Sequence, residues 1–503
     1  MIKFFREKAH IIGWGIVIFF GATMFSGTLF MGGFSGGKNA KTSKRQQEMK
    51  NAVAGIGNVP INSFFLNQAI NINMNQLRNQ TSDTFISPEL IEMIQYNSFI
   101  QAINNTIFLE GARKDGIKIS GRELDNQIRN VYFSMGFATK KELRKSLKAQ
   151  GVIYSDFENS VEELALVKAF VDSIHNSVDV TEEDLSNAFS EVNVKHILIN
   201  SETNSDANLE VFAQEVYEKI IGGLSFSDAV SQFSSDTTTK EKDGALGWIK
   251  YGESIKEFQE VAFSLEKGQI SRPVKSDYGY HIIYVLDRRE IERPENISDE
   301  NLRLNLLEQK KDLAINSYLN NYMIDNPLII KDPSLNAYKS KMEGDLESSV
   351  GHYQLILSQN PYAILPHYYI AKIYIALGKK TDALIEFKRA DIKANLNPDL
   401  DFPELHLALG DLYSNQKMRD KMLGQYEKVF SLVKGNEMRL QQLETILDEK
   451  KLFDLKTQVS ETIAMLVRER EEKEALEALE NQTNAAEVIN TPENSSQTTE
   501  APN

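Results

Sequence analysis

The sequence predicts a multidomain chain: a single N-terminal transmembrane helix, an all-α domain, an α+β unit, an α-helical repeat solenoid and a disordered acidic tail. Three observations carry this. Ile11 to Phe34 runs without a charge. Val194-Lys195-His196-Ile197-Leu198-Ile199 and Gly279-Tyr280-His281-Ile282-Ile283-Tyr284-Val285-Leu286 are strand-like runs, each with a histidine inside. They bound a unit of ~95 residues, a plausible domain size. Beyond Ile330, small and aromatic residues recur in phase. The chain has 503 residues, 41% of them apolar, which leaves room for several real cores.

Residues 1–10 are polar and basic, with Lys3, Arg6 and Lys8. The uncharged run that follows is long enough, at 1.5 Å per residue, to cross a hydrocarbon layer of ~30 Å. Residues 1–36 therefore read as a cytoplasmic tip and anchor. A cleaved signal with its exit near Gly33 to Gly37 is the alternative. Lys38, Lys41, Lys44 and Arg45 lie just after the span, so flanking charge does not decide the orientation. Residues 37–53 form a polar tether.

From residue 54 to 191 the chain reads as all-helical. Helical patterns cover about Phe64–Gln80, Pro88–Asp115, Ser120–Met135, Thr139–Gln150, Ser155–Asn176 and Thr181–Glu191. Ser87-Pro88-Glu89 and Thr181-Glu182-Glu183-Asp184 are the clearest starts, with a capping oxygen and acids in the first turn.

Between the two histidine strands lie a helix at Leu209–Ile221, a Ser/Asp/Thr loop from Ser234 to Asp243, and an amphipathic run from Glu257 to Leu265. The order is β-α-α-β-α-β-β. With Phe233-Ser234-Ser235-Asp236, Leu246-Gly247-Trp248, Phe258-Gln259-Glu260-Val261-Ala262-Phe263 and Gly268-Gln269-Ile270-Ser271-Arg272-Pro273-Val274, residues 192–291 resemble the parvulin family of peptidyl-prolyl isomerases. The resemblance implies a site in which His196 and His281 lie back to back beside Asp236, with the Ser276 hydroxyl near the same network. It places Leu246, Ser254, Phe258 and Phe263 around the proline ring. Ser254 stands where the family has methionine, and Ala245 replaces an acidic residue before the leucine. Two strand histidines and an aspartate without cysteine or compact spacing do not make a metal site, and no cofactor is implied.

The helical run before this unit, with Asp115-Gly116-Ile117-Lys118-Ile119-Ser120, Phe137-Ala138-Thr139-Lys140-Lys141-Glu142-Leu143 and Leu147-Lys148-Ala149-Gln150-Gly151, is similar to the chaperone domain of the SurA/PpiD foldases. The apolar N-terminal span makes the membrane-anchored PpiD type the better fit. That resemblance implies a bacterial inner-membrane protein with a cytoplasmic N-terminus and its bulk on the exported, periplasmic side.

Ser298 caps a helix from Asp299 to Asn326, read within residues 292–332 as returning to the helical domain, or as a plain linker. Residues 333–470 carry the repeat. Ala337, Ala371 and Gly410 correspond, as do Gly344, Gly378 and Lys417, and Tyr353, Phe387 and Tyr426. The middle copy resembles a tetratricopeptide repeat, which implies a protein-docking array. Glu437 to Glu472 supplies capping helices. Residues 471–503, poor in large apolar groups, read as disordered.

Acidic side chains outnumber basic ones, 71 to 56, for a net charge of −15, so nucleic acid is excluded as a partner. The absence of cysteine excludes disulfides and thiolate metal sites. The expectation is a membrane-tethered foldase that binds unfolded exported chains and isomerises their X-Pro bonds. The alternative is a non-catalytic holdase or scaffold whose parvulin unit is a peptide-binding module.

Overall fold

The computed structural model describes residues 49–50, 52–80, 86–149, 151–200, 208–292 and 297–489. The expected membrane span at Ile11–Phe34 lies outside them. Among the described residues no helix is long and apolar enough to cross a membrane.

The chain divides into two compact units. One holds Ala69 and the described residues before it, with Ile100–Ile329; the other holds Ile70–Phe99 and the described residues from Ile330 onward. This differs from the single helical domain expected over 54–191. Residues 70–99 group with the C-terminal array because Glu89, Glu92 and Tyr96 bind its tyrosines and lysines.

The first unit opens with β1 (Ala54–Ile56) and β2 (Val59–Pro60), paired antiparallel around Gly57. Helices α1 (Ser63–Gln80) and α2 (Pro88–Lys114) follow. Then come α3 (Gly121–Ser134), α4 (Lys140–Ala149) and α5 (Tyr154–Asn176), which share a core of Ile128, Val131, Leu143, Leu147, Phe157 and Val161. Ser120 caps α3 by accepting from the Glu123 amide. Helix α6 (Glu182–Asn187) starts with a full capping box between Thr181 and Asp184. It stops short of the expected Glu191 because Ser190 already enters a sheet, opposite Glu290.

That sheet is built from β3 (Ser190–Ile199), β4 (Ala245–Lys250), β5 (Val274–Ser276) and β6 (Gly279–Glu290). The order is β4-β3-β6-β5, and every pair is antiparallel. Helices α7 (Leu209–Ile221) and α8 (Phe226–Phe233) cover one face, burying Ala213, Val216, Ala229 and Val230 against Ile197, Ile199 and Ile282. A single turn, α9 (Thr237–Lys240), forms inside the stretch expected to be loop. Helix α10 (Lys256–Ser264) covers the other face, where Phe258, Ala262 and Phe263 meet Val192, Val194, Ile283 and Val285. The period of two along β3 and β6 produces this division. Val194 and His196 share one face with His281, Ile283 and Val285, while Ile197, Ile199 and Ile282 share the other.

Helix α11 (Asp299–Asp325) packs on α2 and α5: Tyr318 meets Phe170 edge-on at 5.0 Å and stacks with Phe108 at 6.3 Å. Strand β7 (Leu328–Ile330) then joins β1, giving the order β2-β1-β7.

The second unit continues with helices in consecutive pairs: α12 (Pro333–Met342) with α13 (Leu346–Gln359), α14 (Leu365–Ala376) with α15 (Lys380–Leu396), α16 (Pro403–Asn415) with α17 (Arg419–Val433), and α18 (Glu437–Glu449) with α19 (Phe453–Ile489). One core cluster runs from Ala337 to Val459 through Tyr353, Ala371, Phe387, Leu409 and Tyr426. Helix α19 corrects the expectation of disorder from residue 471, since it continues to Ile489. Low apolar content argues against a core there, not against a helix. Ala475, Leu476 and Ala478 are strong helix formers, and Arg470–Glu474 and Lys473–Glu477 pair at i,i+4. Residues 490–503 lie outside the description.

Candidate active site

The two histidines are brought together by strand register. His196 pairs with Ile283 and His281 with Leu198, so the histidines are diagonal neighbours on one face. Their rings stack 5.7 Å apart at 15°. Two glycines permit the backbone around them. A side chain at Gly244 would strike the His196 carbonyl, and one at Gly279 the Ile199 carbonyl; both have positive φ (72° and 130°). The His196 amide in turn donates to the Gly244 carbonyl at 2.8 Å.

Asp236 is delivered by the Ser234–Ser235 link. The Ser235 amide donates to the Leu198 carbonyl at 2.7 Å, and Ser234 Oγ accepts from the Leu198 and Asp236 amides, each at 3.3 Å. Asp236 caps α9, with Oδ1 accepting from the Thr238 amide at 2.9 Å. Its Oδ2 takes the Thr239 hydroxyl at 2.6 Å and lies 2.8 Å from His196 Nε2.

On the other side, Ser276 Oγ lies 2.6 Å from His281 Nε2, and its own orientation is fixed by the Tyr278 amide at 3.1 Å. The two Nδ1 atoms face each other at 3.4 Å.

Charge and tautomer follow from burial. His196 and His281 are 6% and 5% exposed. Burial lowers the pKa of both; for His281, burial and the neighbouring imidazole push it down to about 4, so both rings are neutral at pH 7. Burial raises Asp236, but the hydrogen bonds from Thr239, His196 and the Thr238 amide outweigh it and leave the carboxyl below its ordinary range. An ionised Asp236 only accepts, so His196 Nε2–H donates to it and His196 Nδ1 is bare. His281 Nδ1–H then points at His196 Nδ1, and the Ser276 hydroxyl donates to His281 Nε2. The set is one directional chain ending on a single, partly buried negative charge.

Phe258 of α10 closes this chain from above, 3% exposed, with its ring edge-on to His196 at 5.8 Å and to His281 at 5.5 Å. The structure thus brings together His196, Asp236, His281, Ser276 and Phe258. Phe263 points elsewhere: it is 5% exposed and packs edge-on against Tyr251 at 5.0 Å, inside the core. Leu246 is 41% exposed. Register passes from Val194–Gly247 to Lys195–Ala245, which makes Leu246 the extra residue of a β-bulge. The Ser254 hydroxyl is buried without a hydrogen-bond partner. A cavity of ≈ 630 Å³ beside Ile270 and Pro273 is lined by none of these residues. Thr239 is the member that sequence reasoning missed. Its signal was the Asp236-to-Thr239 spacing of one helical turn, hidden in a run of three threonines.

Among the described residues no group of His, Cys, Asp and Glu is arranged to hold a metal. The arrangement offers fixed neutral imidazoles, a partly buried carboxylate, an oriented hydroxyl and an aromatic wall, with no activated nucleophile.

Comparison with known proteins agrees with this geometry. Residues 196–287 match the PPIC-type PPIase domain, and residues 1–170 the SurA-like N-terminal domain. Foldase protein PrsA 3 of Bacillus cereus is 32% identical over 197 residues, 39% of this chain and 63% of the relative. The Bacillus anthracis foldase protein PrsA 3 is 34% identical over 193 residues, 38% and 62% of the two chains. The crystal structure of the peptidylprolyl isomerase PrsA from Bacillus anthracis is 25% identical and covers 45% of this chain and 96% of that one, with a TM-score of 0.25. The chain spans less than two thirds of the length of either curated relative. It carries a parvulin domain of the PPIC type behind a SurA-like N-terminal domain, and it is similar to the PrsA foldases.

Proposed function

We propose that the protein is a foldase whose parvulin domain turns over X-Pro bonds of unfolded chains by non-covalent catalysis. The observation that carries this reading is the unbroken chain Ser276–His281–His196–Asp236 under the Phe258 ring. Rotation about X-Pro must overcome amide resonance, a barrier of roughly 20 kcal/mol. Resonance places negative charge on the carbonyl oxygen and positive charge on nitrogen. A dry pocket holding one fixed negative charge disfavours that separation and so favours the twisted amide. No bond breaks, which suits a site without a nucleophile.

In this reading the SurA-like helices hold client segments, and Ile11–Phe34 tethers the chain to a bacterial inner membrane with residues beyond 36 on the exported side. The helix pairs from residue 333 act as tetratricopeptide-like repeats that dock a protein partner. Full-length protein is expected to accelerate cis–trans exchange of a proline peptide above the thermal rate, and to stay in the pellet after an alkaline carbonate wash. Release into the wash ends the tether; a thermal rate with wild type ends the isomerase reading.

A second reading is supported by Ser254 and Leu246. An unpartnered buried hydroxyl and a half-exposed leucine leave the proline pocket short of apolar wall. If turnover is absent while peptide binding persists, the domain is a binding module of a holdase.

A further inference from the structure

The second unit contains a built site that the isomerase does not use. Helix α2 begins Pro88-Glu89, and Glu92 follows one turn later on the same face. Both acids are held by the first helices of the array. Glu92, 6% exposed, takes the Tyr353 hydroxyl and the Lys341 ammonium. Glu89 takes the Tyr368 hydroxyl at 2.6 Å and lies 3.1 Å from Lys372 Nζ. The Tyr369 hydroxyl donates to the Pro88 carbonyl at 2.8 Å, and Tyr96 packs on Tyr338 with ring centroids 5.0 Å apart. Lys341 also lies over the Tyr338 ring at 4.5 Å.

Two features distinguish this from ordinary core packing. None of residues 88–99 belongs to the apolar cluster that runs from Ala337 to Val459, although Ile94 and Phe99 are themselves buried. The polar contacts are made through the far ends of side chains, hydroxyls and ammonium groups meeting carboxylates, with the two rings alongside. Glu92 is buried and met by two donors, while the Glu89 side chain stays 38% exposed; the face therefore presents hydroxyl and ammonium donors matched to two acids one turn apart.

We propose that this tyrosine–lysine face of the array is a receptor for an acidic helix start, and that Pro88–Phe99 is its internal occupant, which an external helix with a proline followed by acids one turn apart can displace. The proposal rests on reading the array as a docking module and is independent of the isomerase. The tethered segment competes at high effective concentration, so the site is masked in the intact chain.

The test uses full-length protein and a synthetic peptide of residues 86–99, capped at both ends and fluorescently labelled. Glu89→Gln with Glu92→Gln in the chain weakens the internal occupant, and the peptide is expected to bind at least about tenfold tighter than to wild type. Adding Lys341→Gln and Tyr353→Phe should remove that gain, with the circular dichroism spectrum unchanged. Equal affinity for all three chains overturns the proposal. A second readout needs no variant. In wild type, excess peptide should speed hydrogen exchange of amides 88–99, whereas the same peptide with both glutamates changed to glutamine should not. Equal effects of the two peptides, or none from either, also overturn it. Isomerase turnover, followed in parallel, should not change, which separates failure here from failure of the catalytic reading.

Discussion

Replacing Phe258 with alanine should change the protonation of a histidine on another element. His281 is held at about 4 against an ordinary 6.5, chiefly by burial and then by His196. At about 1.4 kcal/mol per unit, that depression corresponds to roughly 3 kcal/mol of preference for the neutral ring. Because the folded value is the lower one, the unfolded chain binds more protons between pH 6.5 and about 4. The site's contribution is therefore intact above pH 6.5 and is lost as pH falls toward 4, by up to about 1.4 kcal/mol per pH unit. Phe258 supplies much of the dry surface, its ring 5.5 Å from His281. Phe258→Ala lets water reach the imidazole and should raise its midpoint by about one unit or more. The lost ring itself should cost about 3–5 kcal/mol of stability in this domain. Imidazole NMR titration of the full chain, with His281→Gln for assignment, reads the midpoint directly. A wild-type His281 titrating near 6.5, or a midpoint untouched by Phe258→Ala, would refute the account of how this site stays neutral.

Asp236→Ala removes the acceptor that orients His196 and should lower kcat/KM for a proline peptide by about tenfold, equivalent to about 1.4 kcal/mol; activity at the wild-type level would exclude the carboxylate from the mechanism. Ser254→Ala deletes a buried, unpartnered hydroxyl and should raise the domain's stability by about 1 kcal/mol, while Ser254→Met should tighten peptide binding; weaker binding by the methionine variant would place Ser254 away from the proline ring. Lys417 is exposed and sits at φ 59°, where the matching positions are Gly344 and Gly378, so Lys417→Gly should stabilise the array by about 0.5–1 kcal/mol in thermal melts, and a destabilised variant would contradict the strain. A 333–470 fragment contains the entire Ala337–Val459 core cluster and should give a helical circular dichroism spectrum; a random-coil spectrum would show that the core needs residues from outside.

Local pattern was enough for much of this protein. The strand-like apolar runs around His196 and His281 are a property of a few consecutive residues, and both histidines lie in strands as those runs imply. The helix at Leu209–Ile221 has the bounds that its periodicity implies. Recurring Gly344, Gly378 and Lys417 mark left-handed helix ends, because a chain reversal needs that conformation at the same point of every pair. What required the tertiary structure was every decision made between elements far apart in sequence. Leu246 lies with Trp248 and Lys250 on the exposed side of the edge strand β4, and which side faces out is set by the pairing of β4 with β3. Phe258 and Phe263 lie on one helix and look equivalent in sequence, yet only the first meets the imidazoles, since Tyr251 takes up the second. Thr239 joins Asp236 only once a single helical turn forms beside β3. Glu89 and Glu92 read as an ordinary acidic helix start. Their partners are tyrosines and lysines about 250 residues or more away, and long-range contacts of that kind leave no periodic trace in the chain.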